Sequence, residues 1–228
     1  MRYNLILFIA FIFAMAGLSC KNKSGGKYID QGEIHYNIDY IGNMGAMPKE
    51  ALPRNLVVSF KKDKILFEML GMGNSGILNL ANPDKGIYDA YFSLFTFKYF
   101  YAAKPGEMYP GFEAMDGISI KKTSKTMIIC GFNCKNAEVT FPADRNKIYE
   151  IWYTNEINVK NTNASTPFSP IDGVLMDFFF FMGKAEAHFE AETVYKKDIP
   201  DETFDRKQNF KRVTKEDFMA FINKMRNL

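Results

Sequence analysis

Residues 33–41, Glu-Ile-His-Tyr-Asn-Ile-Asp-Tyr-Ile, alternate between polar and apolar side chains from Glu33 to Tyr40. One side carries Ile34, Tyr36, Ile38 and Tyr40, and the other carries Glu33, His35, Asn37 and Asp39. A period of two is typical of a β-strand that buries one face and exposes the other to water. We therefore predict a half-buried strand over residues 33–41.

The same alternation returns near the other end of the chain, at residues 185–196. Ala185, Ala187, Phe189 and Ala191 share one side there, and Glu186, His188, Glu190 and Glu192 share the other. Between these two segments we predict further strands at residues 55–60, 64–70, 76–81, 87–92, 118–122, 126–130, 134–141 and 147–154. Turn-forming residues separate them, as in the Asn-Pro-Asp-Lys-Gly run at 82–86. A long polar loop at 158–170 and the apolar segment 173–183 (GVLMDFFFFMG) follow these strands.

Two segments differ from this meander of short strands. The aromatic run at residues 91–101 (YFSLFTFKYFY) fits a strand and a helix almost equally, and we favour a strand. The C-terminus favours a helix, because Thr214 is a suitable N-cap with Asp217 three residues later. Phe218, Phe221, Ile222 and Met225 would share one face of that helix. The predicted fold class is α+β: one domain over residues 28–228, with a curved, mostly antiparallel sheet and a C-terminal helix.

Composition limits the function. The 228 residues are 47% hydrophobic and 24% charged, which is ordinary for a globular protein. The 29 Lys and Arg residues nearly balance the 26 Asp and Glu residues, for a net charge of +3. Nucleic acid is excluded as a partner on this ground, because its binding depends on many cationic contacts to phosphates.

The N-terminus resembles an export signal. Residues 5–19 (LILFIAFIFAMAGLS) carry no charge, follow Arg2, and are too short to span a bilayer comfortably. Cleavage after Ala14-Met15-Ala16 would release a soluble periplasmic protein, whereas the run Ala16-Gly17-Leu18-Ser19-Cys20 resembles a lipoprotein box. We favour the second alternative, in which residues 1–19 are the signal peptide and Cys20 carries the lipid.

Residues 20–27 would then be the lipidated cysteine and a flexible polar tether (CKNKSGGK). No acidic residue follows Cys20 directly, so nothing resembles an inner-membrane retention signal. We expect an outer-membrane lipoprotein that faces the periplasm.

Several motifs in the C-terminal half belong together. They are Ile129-Cys130-Gly131-Phe132-Asn133-Cys134-Lys135-Asn136-Ala137, Ile151-Trp152-Tyr153-Thr154, Gly173-Val174-Leu175 and residues 198–204 (DIPDETF). This pattern resembles the GLPGLI-type and related exported lipoproteins of unknown function, with Ile171-Asp172-Gly173-Val174-Leu175-Met176 in place of their signature. The resemblance implies an open β-barrel similar to the LolA/LolB lipoprotein carriers, whose concave face holds acyl chains.

Cys130 and Cys134 flank Gly131-Phe132-Asn133. In one straight strand their Cα atoms would lie about 13 Å apart, too far for a disulfide. If the three residues between them form a hairpin loop, the two cysteines become cross-strand neighbours and bond in the oxidising periplasm. A disulfide and two buried thiols both remain open.

His35 and His188 each lie on a polar strand face beside carboxylates. A two-histidine metal site requires the two strands to pair, and two solvated sheet faces are the simpler interpretation. The glycines at 71–76 precede a predicted strand and not a helix, so they do not form a phosphate-binding loop. The sequence predicts no catalytic residue, metal or cofactor.

The chain is rich in Phe (22 residues) and Met (13 residues). These side chains either fill the core or line a groove for an apolar ligand. The candidate groove residues are Met69, Met72, Phe95, Phe97, Phe179 and Phe181. The expected function is a non-enzymatic envelope lipoprotein that binds an acyl chain or a lipidated client; the alternative is an interaction subunit of an envelope assembly without a small ligand.

Overall fold

The computed structural model describes residues 28–42, 52–142, 144–182 and 185–226. The predicted signal peptide, Cys20 and the tether lie outside these residues. The strand predicted first is present as β1, Gln31–Ile41, and its burial alternates as expected. Ile34, Tyr36, Ile38 and Tyr40 are buried, whereas Asn37 and Asp39 are exposed.

The described strands form one sheet. In chain order they are β1 (Gln31–Ile41), β2 (Asn55–Lys61), β3 (Lys64–Leu70), β4 (Gly76–Asn82), β5 (Ile87–Leu94), β6 (Phe97–Ala102), β7 (Ser119–Ile129), β8 (Phe132–Phe141), β9 (Asp144–Thr154), β10 (Val174–Met182), β11 (Ala185–Tyr195) and β12 (Lys211–Arg212). Their order across the sheet is β12-β6-β5-β4-β3-β2-β1-β11-β10-β9-β8-β7. β12 pairs parallel to β6, and every other pairing among these strands is antiparallel.

This arrangement confirms the mostly antiparallel sheet with a C-terminal helix. Since β12 and β7 lie at its two edges, the described sheet is open and does not close into a barrel. The two strands with the clearest alternation, β1 and β11, pair at its centre. A meander of hairpins follows on each side of them.

The main core lies on the face of β1 that carries Ile34 and Tyr36. Phe178 of β10 stacks on Phe189 of β11 there, with 5.0 Å between ring centroids. The buried hydroxyl of Tyr36 donates a hydrogen bond of 2.7 Å to the carbonyl of Leu175, so the only polar atom of that side chain is satisfied.

Two predictions from the pattern need correction. Residues 118–122 and 126–130 are not separate strands, because β7 runs continuously through them with an irregularity between Lys122 and Thr126. The aromatic run at 91–101 is strand, as we favoured, but a turn at Phe95 and Thr96 divides it between β5 and β6.

The C-terminal segment packs on both faces of the hairpins from β3 to β6. Residues 199–210 pack Ile199, Phe204 and Phe210 against one face of the hairpins from β3 to β6. The helix α1, Lys215–Arg226, then packs Phe218 and Ile222 against the opposite face. The backbone N–H of Asp217 donates to Thr214 Oγ1 at 3.2 Å, which confirms the predicted N-cap.

No helix within the described parts of the chain has the length and hydropathy that a membrane-spanning helix requires.

Candidate functional site

Two neighbouring hairpins expose large apolar side chains at the same end of the sheet. Leu70 pairs with Gly76, Gly76 pairs with Ser93, and Leu94 pairs with Phe97, so the β3–β4 and β5–β6 turns lie side by side. Phe95 is 82% exposed and Met72 is 73% exposed, with Phe97 at 48% and Leu70 at 41%. We call these four residues the apolar end.

Local hydrogen bonds hold both turns. The N–H of Gly71 donates to the carbonyl of Ser75 at 2.7 Å, and the N–H of Ser75 donates to the carbonyl of Met72 at 3.2 Å. The N–H of Phe95 reaches Ser75 Oγ at 3.4 Å and so links the two turns. The backbone N–H groups of Gly71, Ser75 and Phe95 are therefore satisfied within the protein.

Phe95 holds a strained conformation in this turn. Its φ is 53°, in the left-handed region that glycine and asparagine usually occupy at the first position of a two-residue hairpin turn. A phenylalanine there costs backbone energy and exposes a large apolar ring. Strain of this kind, retained at an exposed position, is a reason to consider a functional role.

The helix α1 supports the apolar end from one side. The ring of Phe221 lies 5.7 Å from that of Phe97 and 5.0 Å from that of Tyr99, measured between centroids. At its other end the helix is fixed by Lys215, whose Nζ lies 2.8 Å from Glu107 Oε1. This ion pair, with the backbone N–H of Lys104, lowers the pKa of Glu107 to about 2.

Charge is excluded from both turns. Residues 69–83 and residues 90–97 contain no Asp, Glu, Lys or Arg. The first charged residue after the second stretch is Lys98, which is exposed, and the one before the first stretch is Glu68. Glu68 is partly buried, and this burial raises the pKa of its carboxyl group.

The structure does not bring the six predicted groove residues together in one exposed group. Met72, Phe95 and Phe97 lie at the apolar end, whereas Met69 is partly buried against the main core. Phe179 and Phe181 lie on β10, which β2, β1 and β11 separate from β3. Sequence patterns predicted the strands but not their order across the sheet, so they could not show which of the six residues meet.

Phe179 and Phe181 belong to an aromatic cluster with Tyr149. Their ring centroids lie 5.0 Å and 5.9 Å from that of Tyr149. The Tyr149 hydroxyl donates to Glu186 Oε2 at 2.8 Å, and Lys147 Nζ lies 2.9 Å from the same oxygen. Glu186 is buried, although the alternation at residues 185–196 placed it on the polar side of the strand; its position between Ala185 and Ala187 is the signal that could have indicated burial.

β1 and β11 do pair, as a two-histidine metal site would require, yet their register keeps the histidines apart. His35 lies opposite Thr193, whereas His188 lies opposite Asp39. Four residues of extended strand separate His35 from Asp39, a distance of about 13 Å. Across the described residues there is also no group of three or more His, Cys, Asp or Glu side chains placed to hold a metal ion.

His188 instead forms a pair with Asp177 of β10. Its Nε2 lies 2.7 Å from Asp177 Oδ1, and its ring stacks on Phe179 with 4.4 Å between centroids. The hydrogen bond to Asp177 raises the pKa of His188, and the charges of Glu190 and Asp39 act in the same direction.

Both described cysteines are free thiols. Cys130 and Gly131 form the two-residue turn between β7 and β8, and Cys134 pairs across the hairpin with Met127. The turn is shorter than the three-residue loop that would have made the cysteines neighbours. Cys130 Sγ donates to the Ala191 carbonyl at 3.2 Å, and burial raises the pKa of Cys134 to about 11, so neither thiol is activated.

A pocket of about 300 Å³ lies in the loop after β9. It is lined by Asn155, Ile157, Asn158, Val159, Lys160, Asn161, Asp172 and Gly173. Beneath it the buried side chains of Thr162 and Asn163 donate to the Gly173 carbonyl at 3.0 and 2.9 Å. This pocket is polar and differs from the Met- and Phe-lined concavity that the sequence predicts.

The fold resembles that of PNGF-II, which has been solved in two crystal forms. The structure of PNGF-II in space group P21 matches with a TM-score of 0.53 and 17% identity over 86% of this chain and 34% of that chain. The C2 form gives 0.52 and 17% over 85% and 33%. This chain thus spans about a third of PNGF-II, and the likeness concerns the fold alone. The sequence matches no family model and no curated protein.

Proposed function

We propose that this protein is a non-enzymatic lipoprotein of the cell envelope that binds apolar ligands through its apolar end. One observation carries the proposal: Leu70, Met72, Phe95 and Phe97 stand exposed on two charge-free turns. Leaving four large apolar side chains together in water is unfavourable unless something covers them. A binding role accounts for that arrangement and for the strain at Phe95.

The polar clusters support a role without catalysis. The buried carboxylate of Asp89 is held by Arg206 with distances of 2.7 and 3.1 Å, and Glu186 is held by Tyr149 and Lys147. His188 is oriented by Asp177 and stacked on Phe179. These groups satisfy one another within the sheet, as structural polar groups do.

The anchor is part of the same proposal. The lipid on Cys20 and the tether at 20–27 would attach the sheet to the periplasmic side of the outer membrane. The tether joins the fold at Tyr28, next to Ile29, which bridges to Ile157. Leu70 lies instead beside the start of β2, near the far half of β1, so the anchor and the apolar end lie toward opposite ends of the central strands.

We also propose, from the resemblance to GLPGLI-type lipoproteins, that the sheet is an open, LolA/LolB-like barrel. The described sheet supports this, since β7 and β12 lie at its two edges and most of its twelve strands are antiparallel. We place the expected ligand site at the apolar end, because four large apolar side chains are exposed there.

An interaction subunit of an envelope assembly is the second candidate. The observation that favours it is the edge strand β7, whose last residues, Thr126 to Ile129, carry no charge. Ile128 is exposed there, and Lys121, Lys122 and Lys125 protect only the earlier part of the edge. A protein partner would extend the sheet at this edge.

Binding of Nile red, a neutral apolar dye, tests the proposed function. We expect the unlipidated chain from Lys21 onward to enhance the fluorescence of Nile red. The double variant Met72→Ser/Phe95→Ser should lose about half or more of that enhancement, because the most exposed apolar area is removed. The matched control is Ile148→Ser, which removes another exposed aliphatic side chain, on β9. Equal enhancement by the double variant and the wild type would refute the proposal.

A further inference from the structure

We propose that the apolar end docks on an anionic phospholipid bilayer, with Phe95 and Met72 inserted among the lipids and Lys98 facing the phosphates. This inference rests on the proposed function and names the apolar surface that is bound. The four side chains of the apolar end, the cations beside them and the hydrogen bonding of the two turns support it.

The shape of the apolar end argues against a single acyl chain, enclosed in a pocket, as its ligand. A ligand site normally surrounds most of the ligand surface in a concave pocket. Phe95 and Met72 instead project from two turns and are 82% and 73% exposed. Projecting side chains need a medium that closes around them, and a bilayer does so without a preformed shape.

The small area of the apolar end argues against a protein as its partner. From the exposed fractions of its four side chains, the apolar end offers roughly 400 Å² of apolar surface. A stable protein interface buries about 800 Å² on each partner. Insertion at the surface of a bilayer has no such requirement, because each apolar side chain that enters contributes by itself.

Charge favours an anionic surface. Lys98 follows the second charge-free stretch directly and is exposed. Lys224 is also exposed and lies one turn after Phe221, the residue that packs on Phe97. The nearest carboxylate before Leu70 along the chain is Glu68, which is partly buried. Cations therefore lie beside the apolar end, where phosphates would meet them.

The hydrogen bonds of the turns lower the cost of insertion. Unpaired backbone groups are expensive in a lipid environment. The N–H groups of Gly71 and Ser75 donate within the first turn, and that of Phe95 donates to Ser75 Oγ. These three N–H groups therefore need no new partner when the apolar side chains enter the lipid.

Vesicle flotation with the unlipidated chain from Lys21 onward, which contains every described residue, tests the inference. We expect it to float with vesicles of phosphatidylcholine and phosphatidylglycerol, and less with phosphatidylcholine alone. Met72→Ser/Phe95→Ser should reduce the bound fraction at least about tenfold. Lys98→Ala should weaken binding about fivefold on the anionic vesicles only. Ile148→Ser is the matched control and should bind as the wild type does.

Phe95→Gly separates binding from folding. Glycine accepts the φ of 53° without strain, so this variant should be at least as stable as the wild type in urea while it loses vesicle binding. Failure of the wild type to float, or equal flotation of the double variant, would overturn the inference. If Nile red binding is still lost in the double variant, the apolar end keeps its binding role and only the bilayer is refuted. A photo-crosslinker at position 95 that yields one discrete protein adduct, and no lipid adduct, would also overturn it.

Discussion

His188 and Asp177 show how one pair of side chains makes the sheet sensitive to pH. The Nε2–Oδ1 distance is 2.7 Å, and Asp39 and Glu190 add negative charge nearby. These contacts raise the pKa of His188 above its ordinary value of 6.5, chiefly through the hydrogen bond to Asp177. The protonated imidazole is thus favoured more in the folded protein than in the unfolded chain.

The sign of the resulting pH dependence follows from linkage. A folded pKa above the unfolded one stabilises the protein fully below about pH 6.5, and that stabilisation is lost as the pH rises through the folded pKa. We expect the urea midpoint of the wild type to fall, relative to that of His188→Gln, as the pH rises above 6.5. NMR titration of His188 in Asp177→Asn should give a pKa closer to 6.5. Parallel pH profiles for wild type and His188→Gln would contradict this account.

Single residues also show how far local patterns predict the site. The alternation in residues 33–41 correctly placed His35 and Asp39 on the less buried face of β1. It could not place His188 opposite Asp39, because the register depends on a bulge between His35 and Tyr36. The two-residue turn at Cys130 and Gly131 was also missed, since a cysteine with φ of 51° is not a usual turn residue.

At the scale of elements, the segment at 199–210 acts as a strap across the hairpins from β3 to β6. Arg206 Nε and one terminal nitrogen donate to the fully buried carboxylate of Asp89 at 2.7 and 3.1 Å. The Tyr91 hydroxyl donates to the same carboxylate at 2.8 Å and accepts the N–H of Lys207 at 3.1 Å. The strap is therefore fixed through one buried charge.

Arg206→Ala should lower the free energy of unfolding by about 3 kcal/mol, because Asp89 remains buried without its cation. Combining it with Asp89→Asn should recover a large part of the loss, since no buried charge remains. Arg212→Ala, an exposed arginine on β12, is the control and should change stability by less than about 0.5 kcal/mol. Urea unfolding of the four proteins measures these differences. A loss from Arg206→Ala no larger than that of the control would show that Asp89 is not held as described.

The elements predicted best are those whose determining residues lie close together in the chain. Hairpins such as β4–β5 follow from alternation and from the turn residues at 82–86, which lie within the same stretch of chain. The strap has no periodicity of its own, and its position depends on Asp89, more than a hundred residues earlier. The sequence pattern therefore contained the hairpins and the helix but not the strap.

For the whole molecule, strand order decides which residues meet. The hypothesis of one apolar groove treated Met72 and Phe179 as neighbours, although four strand-to-strand steps separate β3 from β10. The apolar end is visible in the sequence as two stretches without charged residues, 69–83 and 90–97, which overlap the predicted strands at 76–81 and 87–92. What the sequence pattern did not show was the turn at Phe95 and Thr96 within the aromatic run, which places the β5–β6 turn beside the β3–β4 turn.

The proposed lipid on Cys20 and the apolar end give the molecule two attachments of unequal strength. Several acyl chains hold a protein far more firmly than a few inserted side chains, since each buried CH₂ contributes about 0.8 kcal/mol.

We expect the full chain to remain in the membrane fraction after a high-salt wash and Cys20→Ala to be released. The variant keeps the cleavage site at Ala14-Met15-Ala16, so removal of the leader does not depend on Cys20. Ser24→Ala in the tether is the control and should stay with the membrane. If Cys20→Ala also resists the wash, Cys20 does not carry the anchor; if only Met72→Ser/Phe95→Ser is released, the apolar end is the main attachment and the assigned order of strengths is reversed.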